Sequence, residues 1–166
     1  WSAPHVAPAR WVLGSNAGNT GSVLRWFRDS FCQAEIAAAR EAGQNTYEVM
    51  EELARQSPIG SAGVTGLLGC GIMLARRLLA PRLLGFIVRS HHALIADTDS
   101  KRHLIRALQE SHAFAVRGNC EQFQDISGRA IRRVTVCGGW SVSDFWMQMV
   151  ADTLGMMVET RTFTAT

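Results

Sequence analysis

The residues best placed for chemistry lie in Cys137-Gly138-Gly139-Trp140-Ser141-Val142-Ser143-Asp144, directly after the β-branched run Val134-Thr135-Val136. Paired glycines between a short strand and a helix let backbone N–H groups approach a nucleotide or phosphate, and the helix N-terminus adds partial positive charge. Ser141 and Asp144 have the Ser-x-x-Asp spacing of a capping box, which sets the helix start. Phe145, Met149, Val150 and Leu154 recur at helical spacing, and Gly155 stands where a C-terminal cap belongs. A second glycine-rich stretch, Gly14-Ser-Asn-Ala-Gly-Asn-Thr-Gly21, enters an amphipathic segment ending at Phe31. A glycine-rich loop entering a helix, here one that leads to Gly21 and Arg25, is again compatible with phosphate. Ordinary tight turns share both patterns, so a turn glycine and a surface arginine stand as the alternative at these two positions.

Other chemistries find little support. No H-E-x-x-H, G-x-S-x-G, P-loop or Rossmann fingerprint occurs. His91 and His92 are adjacent and point in different directions on any regular element, and His103 and His112 do not supply metal-ligand spacing. No residue is assigned as a metal ligand. Cys32, Cys70, Cys120 and Cys137 form no C-x-x-C pair and read as reduced thiols of a cytoplasmic protein, Cys137 as a small buried residue at a strand end. The 17 basic and 14 acidic residues leave a charge of +3, too small and scattered for a nucleic-acid partner.

The elements that must position these residues follow from periodicity and punctuation. With 166 residues and 47% hydrophobic content, one globular domain is expected. Residues 1–10 show no periodicity and read as an arm or loop, with Trp11-Val12-Leu13 a short strand. Leu24, Phe27 and Phe31 are expected to share the inner face of a first helix. Gln33–Ala42 is an alanine-rich helix stopped by Gly43, and Asn45 caps a helix over Tyr47–Gln56. Ile59–Ala75 is an uncharged run of 17 residues. It is short and glycine-rich for a membrane span, which needs about 20 mostly apolar residues, so a buried strand-and-turn region is expected. Asp97–Ser100 offers caps for a long helix from Lys101 to Ile126. Gly128 ends that helix, Ile131–Val136 forms a strand, and the stretch after Gly155 alternates as another.

The wording of these segments carries a resemblance. Gly138, Gly139, Ser141, Ser143, Trp146, Gln148, Ala151, Asp152, Leu154, Gly155 and Val158 fall, without a gap, on the GG-small-S-x-S-x-x-W/L-x-Q-x-x-AD-x-L-G-x-x-V pattern. That pattern belongs to the C-terminal ATPase lobe of the FGGY carbohydrate kinases. The Trp-Φ-Arg-Asp run Trp26–Asp29 and the Arg106-Ala107…Glu110 helix resemble the same family. The version is the one found in autoinducer-2 kinases and xylulokinase-like members. Trp140 departs from the pattern, standing where the family usually has Gly or Ala.

The resemblance covers residues 11–166 and implies an α/β lobe of the actin-like, ribonuclease-H-like ATPase fold, expected to be incomplete at both ends. It implies ATP as ligand, with Gly138, Gly139 and Ser143 beside the nucleotide and Gly21 and Arg25 toward its phosphates. In the parent enzyme the γ-phosphoryl passes, with Mg²⁺, to a hydroxyl of a sugar, polyol or autoinducer-2-like substrate held by another lobe. None of Asp29, Asp97, Asp99, Asp125, Asp144 and Asp152 falls at the family's catalytic base, so no catalytic residue is assigned. Two functions stay open: the ATP-binding lobe of such a kinase, inactive alone, or a non-catalytic nucleotide-binding or interaction module derived from one.

Overall fold

The computed structural model describes residues 1–15, 20–68, 74–75, 78–79, 84–89 and 99–161. Its axis is the helix Lys101–Ser127, which at 27 residues spans about 40 Å. Its N-terminal half turns Ile105, Ala107, Leu108 and Ala113 inward, all nearly without solvent contact. Among the described residues three helices precede it: α1 (Thr20–Phe31), α2 (Gln33–Ala42) and α3 (Thr46–Arg55). With the long helix as α4, the chain closes on α5 (Asp144–Leu154).

Most starts and stops have local causes. Gly43, Gly128 and Gly155 each take the left-handed conformation that ends a helix. Asn45 Oδ1 accepts from the Tyr47 N–H at 3.0 Å and so caps α3. Ser100 precedes α4 without a side-chain cap, and Asp97 lies outside the described residues. The core unites Val23, Leu24 and Phe27 of α1, Met50 and Ala54 of α3, and Ile105 and Leu108 of α4. Burying such a side chain contributes roughly 1.5–3 kcal/mol. Phe31, expected on that inner face, is 52% exposed at the helix end, and Val23 near the helix start joins the buried face.

Among the described residues the strands pair in twos. Ser2–Pro4, within the stretch read as an arm, pairs antiparallel with Trp11–Leu13. Val64–Leu68 pairs antiparallel with Leu84–Val88, and Leu74-Ala75 with Leu78-Leu79. Arg133–Val136 and Met157–Thr160 are parallel, which requires a crossover, and α5 supplies it. Cys137 continues the outward-facing phase of its strand and is exposed, contrary to the buried reading. Cys70, His91 and His92 lie outside the described residues. Among the described residues no helix is long and apolar enough to cross a membrane.

The strand Val64–Leu68 lies against α4 at backbone distance. A Cβ on Gly66 would stand 2.9 Å from the Ala107 carbonyl oxygen and 3.0 Å from Ser111 Oγ. Ser111 fastens the contact by donating to the Gly66 oxygen at 2.7 Å. Gly66→Ala is therefore expected to cost about 1–3 kcal/mol through forced separation of strand and helix. Urea unfolding measures it, and an unchanged midpoint would mean that the strand does not sit on α4.

Candidate functional site

Three helix N-termini meet at one cleft of about 690 Å³. Gly21, Leu24 and Arg25 bring the first turns of α1 to it, Asn45 and Tyr47 bring the start of α3, and Ser143 and Asp144 bring the start of α5. First-turn N–H groups and the helix dipole at the entry of α1 favour an anion there, whereas Glu48, Glu51 and Asp144, which line the cleft beside α3 and α5, oppose one on their side. Arg25 is exposed and, among the described residues, has no ion-pair partner, so its guanidinium is available to a ligand.

Four of the five residues singled out from the sequence, Gly21, Arg25, Gly139 and Ser143, line this cleft. Gly138 does not. It turns the chain at φ +93°, ψ −170°, a conformation for glycine alone, and its carbonyl accepts from Ser141 Oγ at 2.7 Å. Gly139 lies in the short turn Gly139–Val142, and a Cβ there would meet open space. The capping box read from Ser141 and Asp144 is not formed. Ser143 caps α5 instead, accepting from the Trp146 N–H at 3.0 Å, because the 3-10 turn carries the chain two residues further before the helix opens.

Ser143 has a second bond. Its hydroxyl donates to Glu51 Oε2 of α3, and Glu51 Oε1 is paired with Arg55 at 2.7 Å. One hydroxyl therefore starts α5 and ties it to α3 across the cleft. Glu51 went unnoticed because a glutamate in an amphipathic helix reads as a solvated charge. Its role needs residue 143, 92 positions away.

Trp140, already marked in the sequence by its bulk where the family has Gly or Ala, lies in the wall of the cleft. Its indole Nε1 is 3.6 Å from where a Gly21 Cβ would stand, so turn and α1 meet at that glycine. The ring packs at 4.7 Å between centroids on Trp146 and edge-on at 5.1 Å on His112. His112 is 1% exposed, and burial lowers its pKa to about 4, with the Thr20 backbone acting weakly the other way. Gln109, one turn earlier on α4, is also buried and lines the cleft. The signal for both was available as polar residues on the helical stripe of Ile105 and Leu108.

A smaller cavity of about 400 Å³ lies toward Ile59, Arg106, Glu110 and Gln148. Among the described residues, no three His, Cys, Asp or Glu side chains gather to hold a metal ion.

Helices on paired strands, with a crossover unit at the C-terminal side, define an α/β lobe of the actin-like ATPase kind. Residues 3–166 match the FGGY family of carbohydrate kinases, C-terminal domain, and the chain belongs to that family. It is 31% identical over 158 residues to autoinducer-2 kinase of Yersinia pestis (strain Pestoides F), covering 94% of this chain and 28% of that protein. It is 32% identical over 156 residues to autoinducer-2 kinase of Escherichia coli (strain K12 / DH10B), covering 93% and 28%. The chain thus spans little more than a quarter of the length of these curated relatives. Among solved structures it resembles xylulose kinase from Rhodospirillum rubrum, with a TM-score of 0.58 and 28% identity over 84% of this chain and 25% of that one. Xylulose kinase from Lactobacillus acidophilus shares the fold, with a TM-score of 0.64 and 20% identity over 90% and 27%.

The buried imidazole gives a pH signature. Above pH 6.5 His112 is neutral in both folded and unfolded chains. As pH falls below 6.5 the unfolded chain takes up a proton that the folded site refuses, and stability is lost progressively until about pH 4. The loss from this group is expected to reach at most ~3 kcal/mol. His112→Phe should lose less stability than the parent between pH 6.5 and 5 in denaturant titrations; equal losses would mean that His112 is not held neutral.

Proposed function

We propose that this chain is the ATP-binding C-terminal lobe of a carbohydrate kinase, and that the cleft between α1, α3 and α5 receives the nucleotide. The observation that carries the reading is the convergence of Gly21, Arg25, Gly139 and Ser143 on one cleft, with the first turn of α1 and the start of α5 among its walls. Arg25 and the first turn of α1 would face the phosphates, whose charge they complement. Gly139, with open space where a side chain would be, would let the turn backbone come close to the nucleoside. Gly138 would serve that approach indirectly by turning the chain.

Transfer of a γ-phosphoryl group also needs a positioned acceptor hydroxyl and a base to take its proton. We assign no such base within these 166 residues and place the sugar, polyol or autoinducer-2-like substrate on another part of the parent enzyme. Mg²⁺ would belong with the phosphates. Among the described residues no three His, Cys, Asp or Glu side chains form a cluster for it. On this reading the chain by itself binds nucleotide without phosphorylating sugar. The alternative, a non-catalytic module, draws on the position of Trp140, whose indole closes against Gly21 on the cleft wall.

The test is titration of the 166-residue chain and of Gly139→Val with a non-hydrolysable ATP analogue. The added side chain enters open space, so the circular-dichroism spectrum should stay unchanged while affinity falls by about tenfold or more. Equal affinities would reject Gly139 as a nucleotide contact. ATP-dependent phosphorylation of any sugar by the chain alone, above a protein-free control, would reject the assignment of the base elsewhere.

A further inference from the structure

Polar atoms left without partners in the interior gather at one place. Gln109 Oε1, both ring nitrogens of His112 and Trp146 Nε1 are buried and make no hydrogen bond among the described residues. His112 and Trp146 adjoin Trp140 by ring contact, and Gln109 is a wall of the same cleft as Trp140. Native interiors seldom leave such atoms unpaired, and several together call for an occupant that the resting arrangement does not contain. The indole of Trp140 stands in the cleft wall together with Gln109 and covers the inner residues His112 and Trp146.

An indole is a six-membered ring fused to a five-membered one, and so is a purine. The two differ at their edges. Indole carries a single N–H donor, whereas a purine offers several ring-nitrogen acceptors and, in adenine, an amino donor. The unpartnered set is matched to the second kind of edge. Gln109 Oε1 is an acceptor, Trp146 Nε1 a donor, and a neutral His112 supplies one of each. We propose that Trp140 is a displaceable plug occupying the place of a purine base, and that Gln109 and His112 read that base when the indole swings aside. This deepens the nucleotide reading given above and rests on it.

Removing the plug should strengthen binding of the base without altering binding of phosphate. Trp140→Ala is expected to bind MgATP about tenfold or more tighter than the parent, while its affinity for inorganic tripolyphosphate stays the same. Adding Gln109→Leu to Trp140→Ala should return MgATP affinity to the parent value. Thermal melting confirms that each variant is folded. Should Trp140→Ala fail that check, Trp140→Phe, which leaves one ring in place, should show a smaller gain in the same direction. Unchanged or weaker MgATP binding by a folded Trp140 variant that still binds tripolyphosphate would overturn the plug and leave the nucleotide cleft standing. A gain that survives Gln109→Leu would overturn Gln109 as the reader. Absence of both MgATP and tripolyphosphate binding in parent and variants at millimolar concentration would overturn the nucleotide reading together with the plug.

Discussion

The ion pair between Arg106 and Glu110 is the constraint on which the packing around α4 depends. Arg106 Nε lies 2.8 Å from Glu110 Oε1, and both side chains are only 11% exposed. Neither charge is left with unmet valence on its inner side. Arg106 Nη1 donates to the Ser57 carbonyl at the end of α3, and Glu110 accepts from the Gly60 N–H and the Ser61 hydroxyl. Those bonds hold a turn in which Gly60, Ser61 and Ala62 all have positive φ. Such a turn stores roughly 1–3 kcal/mol per non-glycine residue unless its surroundings fix it. Loss of either partner would leave a buried charge uncompensated, a change that typically costs about 3–5 kcal/mol. The turn in turn delivers Val64–Leu68 to α4, where Gly66 permits the close contact.

The same pair is connected to the cleft through aromatic contacts. The Arg106 guanidinium lies 5.5 Å from the centre of the Phe145 ring, and that of Arg55 lies 4.4 Å from it. Arg55 pairs with Glu51, and Glu51 accepts from Ser143, the residue that opens α5. A continuous path of charge and ring contacts therefore runs from the turn at Gly60 to the start of α5. It fastens the start of α5 to the C-terminal half of α3, although their sequences lie far apart. Compensated carboxylates and guanidinium groups on the path leave Arg25 as a cation that a ligand can recruit.

Much of the lobe was legible because its signals are local. Gly43, Gly128 and Gly155 end helices where the chain predicts they should, since a left-handed residue at a helix end favours glycine whatever lies around it. The bounds read for α2 match, those for α3 are shifted by one residue at both ends, and α4 runs one residue further than read. Capping was less legible. Ser141 and Ser143 both precede α5, and choosing between them depends on whether Gly139–Val142 forms a 3-10 turn, which a spacing rule does not encode. Phe31 and Cys137 were misread for a related reason, because at the end of an element burial depends on what packs beyond it.

By itself the sequence determined the family, the order of helices and strands, and the residues at the entry of α1 and α5. The long match over Gly138–Val158 and the punctuation by glycines are properties of neighbouring residues. Tertiary structure alone decided that Glu51 is fastened to Ser143, and that Arg106 and Glu110 are largely withdrawn from solvent rather than a surface pair. It also decided that Trp140 rests on His112 and Trp146 beside an unpartnered Gln109. Each of these depends on desolvation and on the meeting of distant side chains, and neither quantity exists until the helices have packed.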